Sequence, residues 1–471
     1  MFKGHPKGLL AAALSNMGER FGYYIMNAVL VLFLCSKFGL SEETSSLIYS
    51  FFYAGIYILA LVGGYIADKT QNYKGTIMAG LMIMATGYVL LSIPILATST
   101  NISWLLPLTC LALFVIAFGN GLFKGNLQAI VGQMYDNFEA EAAKRGPEAL
   151  AEAKSKRDSG FQIFYVFINI GGVIAPFIAP LLRSFWLEMH NYTYNADLPR
   201  LCHEYINNGD AMSTADMGNL TALAEQVGHT GAVNAEFCDS YLNIFNTGVH
   251  FSFIASVVAM LISLIIFVLI KKNLPNPAKK EKAAVNVPSQ QEIQSDAKEI
   301  KQRLYALFAV LGVAVFFWFS FHQNGQSLSV FARDFVATDA IPPEIWQCIN
   351  PLFVILLTPI IMWVFASLAS RGKEVSTPRK IVIGMFLAAC AYIFLAIVAI
   401  AHEYPSGLEF QGLSEAVKVA MKTSPLVLIL TYFFLTVAEL FISPLGLSFV
   451  SKIAPRHLQG ICQALWLTAT A

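Results

Sequence analysis

Leu9-Leu10-Ala11-Ala12-Ala13-Leu14-Ser15-Asn16-Met17-Gly18-Glu19-Arg20-Phe21-Gly22-Tyr23-Tyr24-Ile25-Met26 begins an apolar run that continues to Leu34. A helix crossing ~30 Å of hydrocarbon needs about 20 such residues, and this run supplies them. Glu19 and Arg20 nevertheless sit near its middle, where a charge costs about 2.5–3.5 kcal/mol on insertion scales. A membrane helix keeps such residues when they face a polar interior and do a job there. The rest of the chain has the same character. Apolar residues make up 56% of 471 and charged ones 13%, against about 25% charged in soluble domains. Too little polar surface remains to cover a large soluble core.

Working outward, further runs of spanning length lie near 47–67, 75–96, 105–134, 161–182, 249–270, 304–330, 345–368, 380–401 and 425–453, with another starting at Gly460. The residues after Gly460 rise only ~16 Å at 1.5 Å each, so the chain reads as cut inside an eleventh span with a twelfth to follow. Lys3 and Lys7 precede the first run without a cleavage signal, which predicts a retained first span. The fold class is therefore all-α integral membrane. Its parts are spans 1–5 over 1–183, an extracytoplasmic loop over 184–248, span 6 over 249–270, a cytoplasmic linker over 271–303, and spans 7 to 11 over 304–471. The linker carries Pro275, Pro277, Pro288 and a lysine cluster. Its end, with Ile293, Ala297, Ile300 and Leu304 at helical spacing, reads as a surface-lying helix or as an ordinary solvated linker. Two six-helix bundles joined this way form the major facilitator architecture.

Orientation follows from Lys and Arg. Of the 31 basic residues, those in loops on the side of the N-terminus outnumber those on the opposite side by roughly four to one, which predicts a cytoplasmic N-terminus. The expected location is a plasma membrane, of the bacterial inner-membrane kind, with the chain crossing many times. The net charge of +1 gives nucleic-acid binding no electrostatic support. Five of the seven cysteines (Cys35, Cys110, Cys348, Cys390 and Cys462) lie in or beside apolar runs and read as buried thiols. Cys202 and Cys238 share the loop placed outside, where a disulfide between them would persist.

Four charged positions stand inside spans: Glu19, Arg20, Lys124 and Glu439. His322 and Gln323 follow Trp318 in the seventh. One reading makes the charges internal ion pairs that fix packing, Glu19 with Lys124 or with Arg20. The other uses the sum: net +1 in the first bundle and −1 in the second, facing one cavity. That arrangement suits a zwitterion such as a short peptide. Arg20 and Lys124 would hold the carboxylate, Arg20 through two parallel hydrogen bonds, and Glu439 the amine. Tyr23, Tyr24, Tyr57, Trp318 and Trp466 supply apolar walls with polar tips, and Asn169 and Asn350 reach for peptide backbone. Gly121 and Gly125 allow a neighbouring helix close to Lys124. Pro176, Pro351 and Pro444 mark places where helices bend or end.

These residues also carry a family likeness over nearly the whole length. Glu19-Arg20-Phe21-Gly22-Tyr23-Tyr24 resembles the second part of the E-x-x-E-R-F-x-Y-Y motif of proton-coupled oligopeptide transporters, a branch of the major facilitator superfamily. Gly64-Tyr65-Ile66-Ala67-Asp68-Lys69 is similar to the superfamily's loop between spans two and three. Phe164-Tyr165-Val166-Phe167-Ile168-Asn169-Ile170-Gly171 resembles F-Y-x-x-I-N-x-G, and Glu439 to Ser448 resembles E-x-x-x-S-P-x-G-L-S. The resemblance implies import of di- and tripeptides with protons by rocking of the two halves, without a further cofactor, by a monomer. It makes Arg20, Lys124, Tyr57, Asn169, Asn350, Glu439 and Ser443 substrate contacts, with Trp318 and Trp466 as pocket walls.

Three positions depart from that pattern. The family's first motif acid is Asn16, which carries no proton; an acid before Gln323 is replaced by His322; and a proline after Lys124 is replaced by Gly125. A driving proton must then use Glu19, His322 or Glu439. His322 titrates near pH ~6.5 when unperturbed and is a substitute carrier or a neutral hydrogen-bond donor. The competing functions are another small organic solute on the same fold, or a facilitator or sensor that has lost coupling. No nucleophile–base set, metal cluster or nucleotide loop supports an enzyme.

Overall fold

The computed structural model describes residues 4–98, 100–195, 197–275, 290–323, 348–406, 420–455 and 458–470, with a few isolated positions between them. Lys3, Pro277, Pro288, the lysines at 279, 280 and 282, Arg333, Lys418 and Arg456 lie outside the described residues, as do the predicted ends of spans seven and eight around 330 and 345. The side chains of Pro176, Ile293 and Ala297 lie outside them too.

The described residues form helices and no strand; only a bridge joins Val336 to Thr423. The first bundle comprises α1 (Leu9–Phe38), α2 (Glu42–Thr70), α3 (Tyr73–Ser92), α4 (Ile102–Ala143), α5 (Pro147–Met189) and α8 (Ala235–Ile270). Between α5 and α8 lie the short helices α6 (Leu198–Asn208) and α7 (Thr214–Gln226). The second bundle comprises α9 (Gln290–His322), α10 (Ile349–Ser370), α11 (Thr377–Ala401), α12 (Leu426–Ile453) and α13 (Gln459–Thr468). Among the described residues ten helices are long and apolar enough to cross a membrane, and the chain is a multi-pass membrane protein.

Local chemistry sets the ends. Ser41 accepts from Thr44 N to start α2, Asn72 from Gly75 N to start α3, and Asn234 from Phe237 N to start α8, each satisfying a backbone donor that the first turn leaves free. Gly39 ends α1 in the left-handed region with its N–H on Cys35 O. Because backbone hydrogen bonding does not stop at the edge of an apolar run, α5 and α8 each begin about fourteen residues before the spans read from hydropathy. The stretch read as a loop over 184–248 is thus largely helical. Pro176, Pro351 and Pro444 end nothing: α5 and α12 run through theirs, and Pro351 sits in the first turn of α10, where its missing N–H is not needed. The end of the predicted linker is helical from Gln290 and continuous with α9.

Within the first bundle α1 packs on α5 and α8, and α4 on α2 and α3; α12 is the centre of the second. A Cβ on Gly63 would land on the Gly121 carbonyl, so α2 and α4 touch backbone to backbone. Gly125 leaves ordinary contact instead, 3.6 Å to Ala464, and its smallness is not required. The bundles meet where α2 and α4 face α13 and where α5 faces α10 and α12. Apolar side chains such as Phe51, Ile58, Phe316, Trp363 and Phe386 point outward, while Glu19, Arg20, Asn120 and Glu439 are buried. This inverts the usual soluble pattern.

Candidate functional site

Glu19 and Arg20 are successive residues of α1, yet their side chains curl into a bidentate pair. Arg20 Nε donates to Glu19 Oε2 and Nη2 to Oε1, each at 2.6 Å. Asn120 of α4 adds its Nδ2 to Oε1 at 2.6 Å. Both charges are buried, Arg20 being 2% exposed, and the Arg20 guanidinium also lies 4.5 Å from the Tyr23 ring centre. The guanidinium fork read as the grip for a ligand carboxylate is therefore occupied by Glu19. Of the two internal pairs read from the sequence, the one with Arg20 is formed.

Lys124 is left with a ring instead of an acid. Its ammonium lies 4.3 Å from the centre of Tyr57, and among the described residues no carboxylate pairs with it. The Tyr57 hydroxyl faces Tyr53 at 3.4 Å, and Tyr53 meets His322 of the other bundle edge-to-face at 5.9 Å.

Glu439 occupies the middle of α12, 3% exposed. Tyr165 of α5 donates its hydroxyl to Oε1, and Asn350 of α10 donates Nδ2 to Oε2 at 2.7 Å. The same Nδ2 reaches Thr436 Oγ1 at 3.0 Å. Asn350, expected on peptide backbone, thus positions Glu439. Ser443, one turn on, is a hydrogen-bonding neighbour of Tyr165. Asn169 turns its Nδ2 back to Tyr165 O at 3.0 Å. Tyr24 lies within electrostatic range of Arg20, Glu19 and Glu439.

Tyr165 is the residue the sequence reading passed over. It stood in the quoted motif only as an aromatic, but it lies one helical turn from Asn169 and so shares its face. That spacing was the available signal.

Two aromatic residues expected as walls have partners the sequence did not show. Trp466 is packed onto Gly446, whose missing Cβ makes room for the indole and brings α13 against α12. Trp318 stacks on His322 at 5.6 Å. His322 Nε2 lies 3.2 Å from Thr470 O; a carbonyl only accepts, so that nitrogen carries the hydrogen. The two cysteines of the expected disulfide face each other across α6 and α8. Cys202 and Cys238 are free, buried thiols that hydrogen-bond to each other.

Below the site, toward the face with the basic loops, polar bonds bolt the bundles together. Asp158 of α5 takes Lys452 Nζ at 2.6 Å, Lys380 Nζ at 3.0 Å and Ser448 Oγ at 2.6 Å. Arg157, held by Asp136 and Glu139, donates to Ser451 O at 3.1 Å. Asp68 accepts Gly460 N at 2.9 Å and Ile461 N at 2.8 Å, placing its charge on the N-terminal amides of α13, where helix ends favour anions. Beside it a Cβ on Gly64 would come within 2.7 Å of Gly460. This face is closed.

Comparison with known proteins follows the same lines. The POT family profile matches residues 74–290 and 276–471. Dipeptide and tripeptide permease B of Shigella dysenteriae is 28% identical over 469 residues, 97% of this chain and 82% of that one. The peptide transporter YePEPT of Yersinia enterocolitica is 29% identical, covering 100% of this chain and 86% of that one. A crystal structure of a POT family transporter in complex with a thioalcohol-conjugated peptide superposes with a TM-score of 0.60 at 21% identity, covering 100% and 88%. It shares the fold.

Proposed function

This chain belongs to the POT family, and from that premise we propose that it imports di- and tripeptides with protons by alternating access. The observation that carries the reading is what remains once Glu19 and Arg20 have paired. Lys124 in the first bundle and Glu439 in the second are left without an opposite charge among the described residues. A buried carboxylate held only by neutral donors is incomplete. The ammonium of a peptide completes Glu439 while its carboxylate completes Lys124. A plain anion satisfies only one of the two.

Coupling follows from the Glu19–Arg20 pair. A proton on Glu19 cancels the charge that holds the Arg20 fork and frees it to join Lys124 on the peptide carboxylate. His322, with one ring nitrogen committed to Thr470 O, can take a proton on the other. Protons are the coupling ion in this reading, and no organic cofactor or metal is invoked. The closed basic face represents one end of the cycle, and peptide enters from the opposite face. We place the N-terminus and basic loops in the cytoplasm of a plasma membrane, of the bacterial inner-membrane kind, with one chain sufficient for transport.

Asn16 favours one second reading, a facilitator without coupling. It is 2% exposed, its Nδ2 has no acceptor among the described residues, and it stands where a titratable group is expected. Uptake of a labelled dipeptide into proteoliposomes, with and without an inward proton gradient, separates the readings. Accumulation that requires the gradient is expected. Equilibration that ignores it overturns coupling, and no peptide uptake overturns the substrate class.

A further inference from the structure

Lys37 closes α1 at the face opposite the gate, with its ammonium inside the protein. The residue is 5% exposed, and among the described residues no carboxylate pairs with it. Its polar partner is a neutral base. His250 Nδ1 lies 2.6 Å from Leu91 O; the carbonyl only accepts, so Nδ1 bears the hydrogen and the Nε2 lone pair faces Lys37 Nζ at 3.1 Å. That contact uses one ammonium hydrogen of three. The Phe33 and Phe38 rings stand 4.9 and 5.7 Å away and add cation–π attraction, but no compensating charge. The carbonyls at the end of α1 offer little more. Ser36 O already accepts from Asn246 Nδ2 at 3.0 Å and His203 Nε2 at 2.7 Å, and Cys35 O from Gly39 N at 2.9 Å.

Lys37 lines two small cavities. One, of about 10 Å³, is lined by Lys37, Asn243, Asn246, Thr247 and His250 beside the α3–α4 connection. The other, of about 20 Å³, runs between apolar side chains to Thr109. Each leaves room for a small guest, a water or a monatomic ion, and the first opens to solvent at Asn243, Pro94 and Leu96. Burial without an opposite charge works against the ammonium form, and a counter-charge would offset that cost.

We propose that Lys37 holds a monatomic anion of the halide class in the cavity beside Asn243 and Thr247, which bring further donors. The ion serves as a structural counter-charge tying the end of α1 to α8 and to the α3–α4 connection. It stands apart from the peptide site and does not depend on that reading.

The test uses the full-length protein in detergent, with thermal midpoints measured in sodium chloride, sodium bromide and sodium gluconate at equal ionic strength. A ligand that binds only the folded state raises the midpoint saturably, and a rise of at least about 2 °C in the two halides over gluconate is expected. Lys37→Gln should remove the difference. Should that variant not fold, chloride NMR on the wild type gives the same answer: excess line broadening that bromide competes away and gluconate does not. Equal midpoints in all three salts with no excess broadening overturn the proposal and leave a neutral lysine beside water. A halide effect that survives in Lys37→Gln overturns it as well.

Discussion

Glu439 receives its hydrogen bonds from a phenol and an amide, and this choice of partners keeps its charge available. An arginine in the place of Asn350 would neutralise the carboxylate before any ligand arrived. The side chains around it can be told apart by substitution. Glu439→Gln keeps the shape and loses the charge, so uptake of labelled dipeptide should fall to background while the thermal midpoint stays near wild type. Normal transport in that variant would move the amine site elsewhere. Tyr165→Phe removes one hydrogen bond to a charged group, worth about 1.5–3 kcal/mol. Uptake at limiting peptide should drop roughly tenfold or more, with Asn350 still holding the second oxygen. Much of this site was legible: the charged positions, the tyrosines and the asparagines all announce themselves in apolar runs. Which of the two possible pairs forms was harder to see. Neighbouring helical residues point about 100° apart, which argues against contact between Glu19 and Arg20 until both long side chains are seen to curl. Asn120 and Tyr165 carry no charge, and for Tyr165 the one signal was its spacing of one helical turn from Asn169.

Among the elements, backbone contact between α2 and α4 is the most demanding feature. Gly63→Ala puts a methyl group onto the Gly121 carbonyl, with no flexible side chain to give way, and overpacking of this kind costs about 1–3 kcal/mol or more. Loss of monodisperse protein or a clear fall in midpoint is expected, whereas Gly125→Ala, which meets Ala464 at 3.6 Å, should behave as wild type. The short helix α6 is a different case, docked through His203 on Ser36 O at 2.7 Å. Burial lowers the His203 pKa, with the Ser36 carbonyl and Asp239 acting the other way. A folded pKa below the unfolded value of about 6.5 means that docking is fully stable above that pH and weakens as pH falls below it. Protection of the amides in residues 198–208, taken relative to their intrinsic exchange rate at each pH, should therefore be lower at pH 5.5 than at pH 7.5, and His203→Gln should flatten the difference. The thiols of Cys202 and Cys238 join the same helix to α8. In an oxidising extracytoplasmic compartment these facing thiols are expected to close the disulfide, so protein isolated without reductant should leave the pair unreactive to maleimide until it is reduced.

At the scale of the whole molecule, hydropathy was enough to read the spans, ten of which are helices among the described residues, because bilayer thickness and helix rise leave few alternatives. The gate was not legible. Asp68, Arg157, Asp158, Lys380 and Lys452 appear in sequence as ordinary charges near loops, and their partners lie tens to hundreds of positions away. Only the approach of the two bundles gives them meaning. The gate also sets the balance between states. Asp158 is the acid shared by Lys380 and Lys452, bonds that run between the two bundles and that separation of the bundles on this face would have to break. Asp158→Asn leaves the two ammonium groups facing each other without it and removes charge-assisted bonds worth about 1.5–3 kcal/mol, a shift of roughly 10- to 150-fold toward the state open on that face. Gly460 N and Ile461 N, shielded by Asp68 while the face is closed, report the change directly. Their exchange should accelerate by that factor in Asp158→Asn, and gradient-driven uptake should fall because the return to the peptide-accepting state becomes rare. Unchanged exchange at these two amides would mean that Asp68 and Arg157 hold the face shut without Asp158.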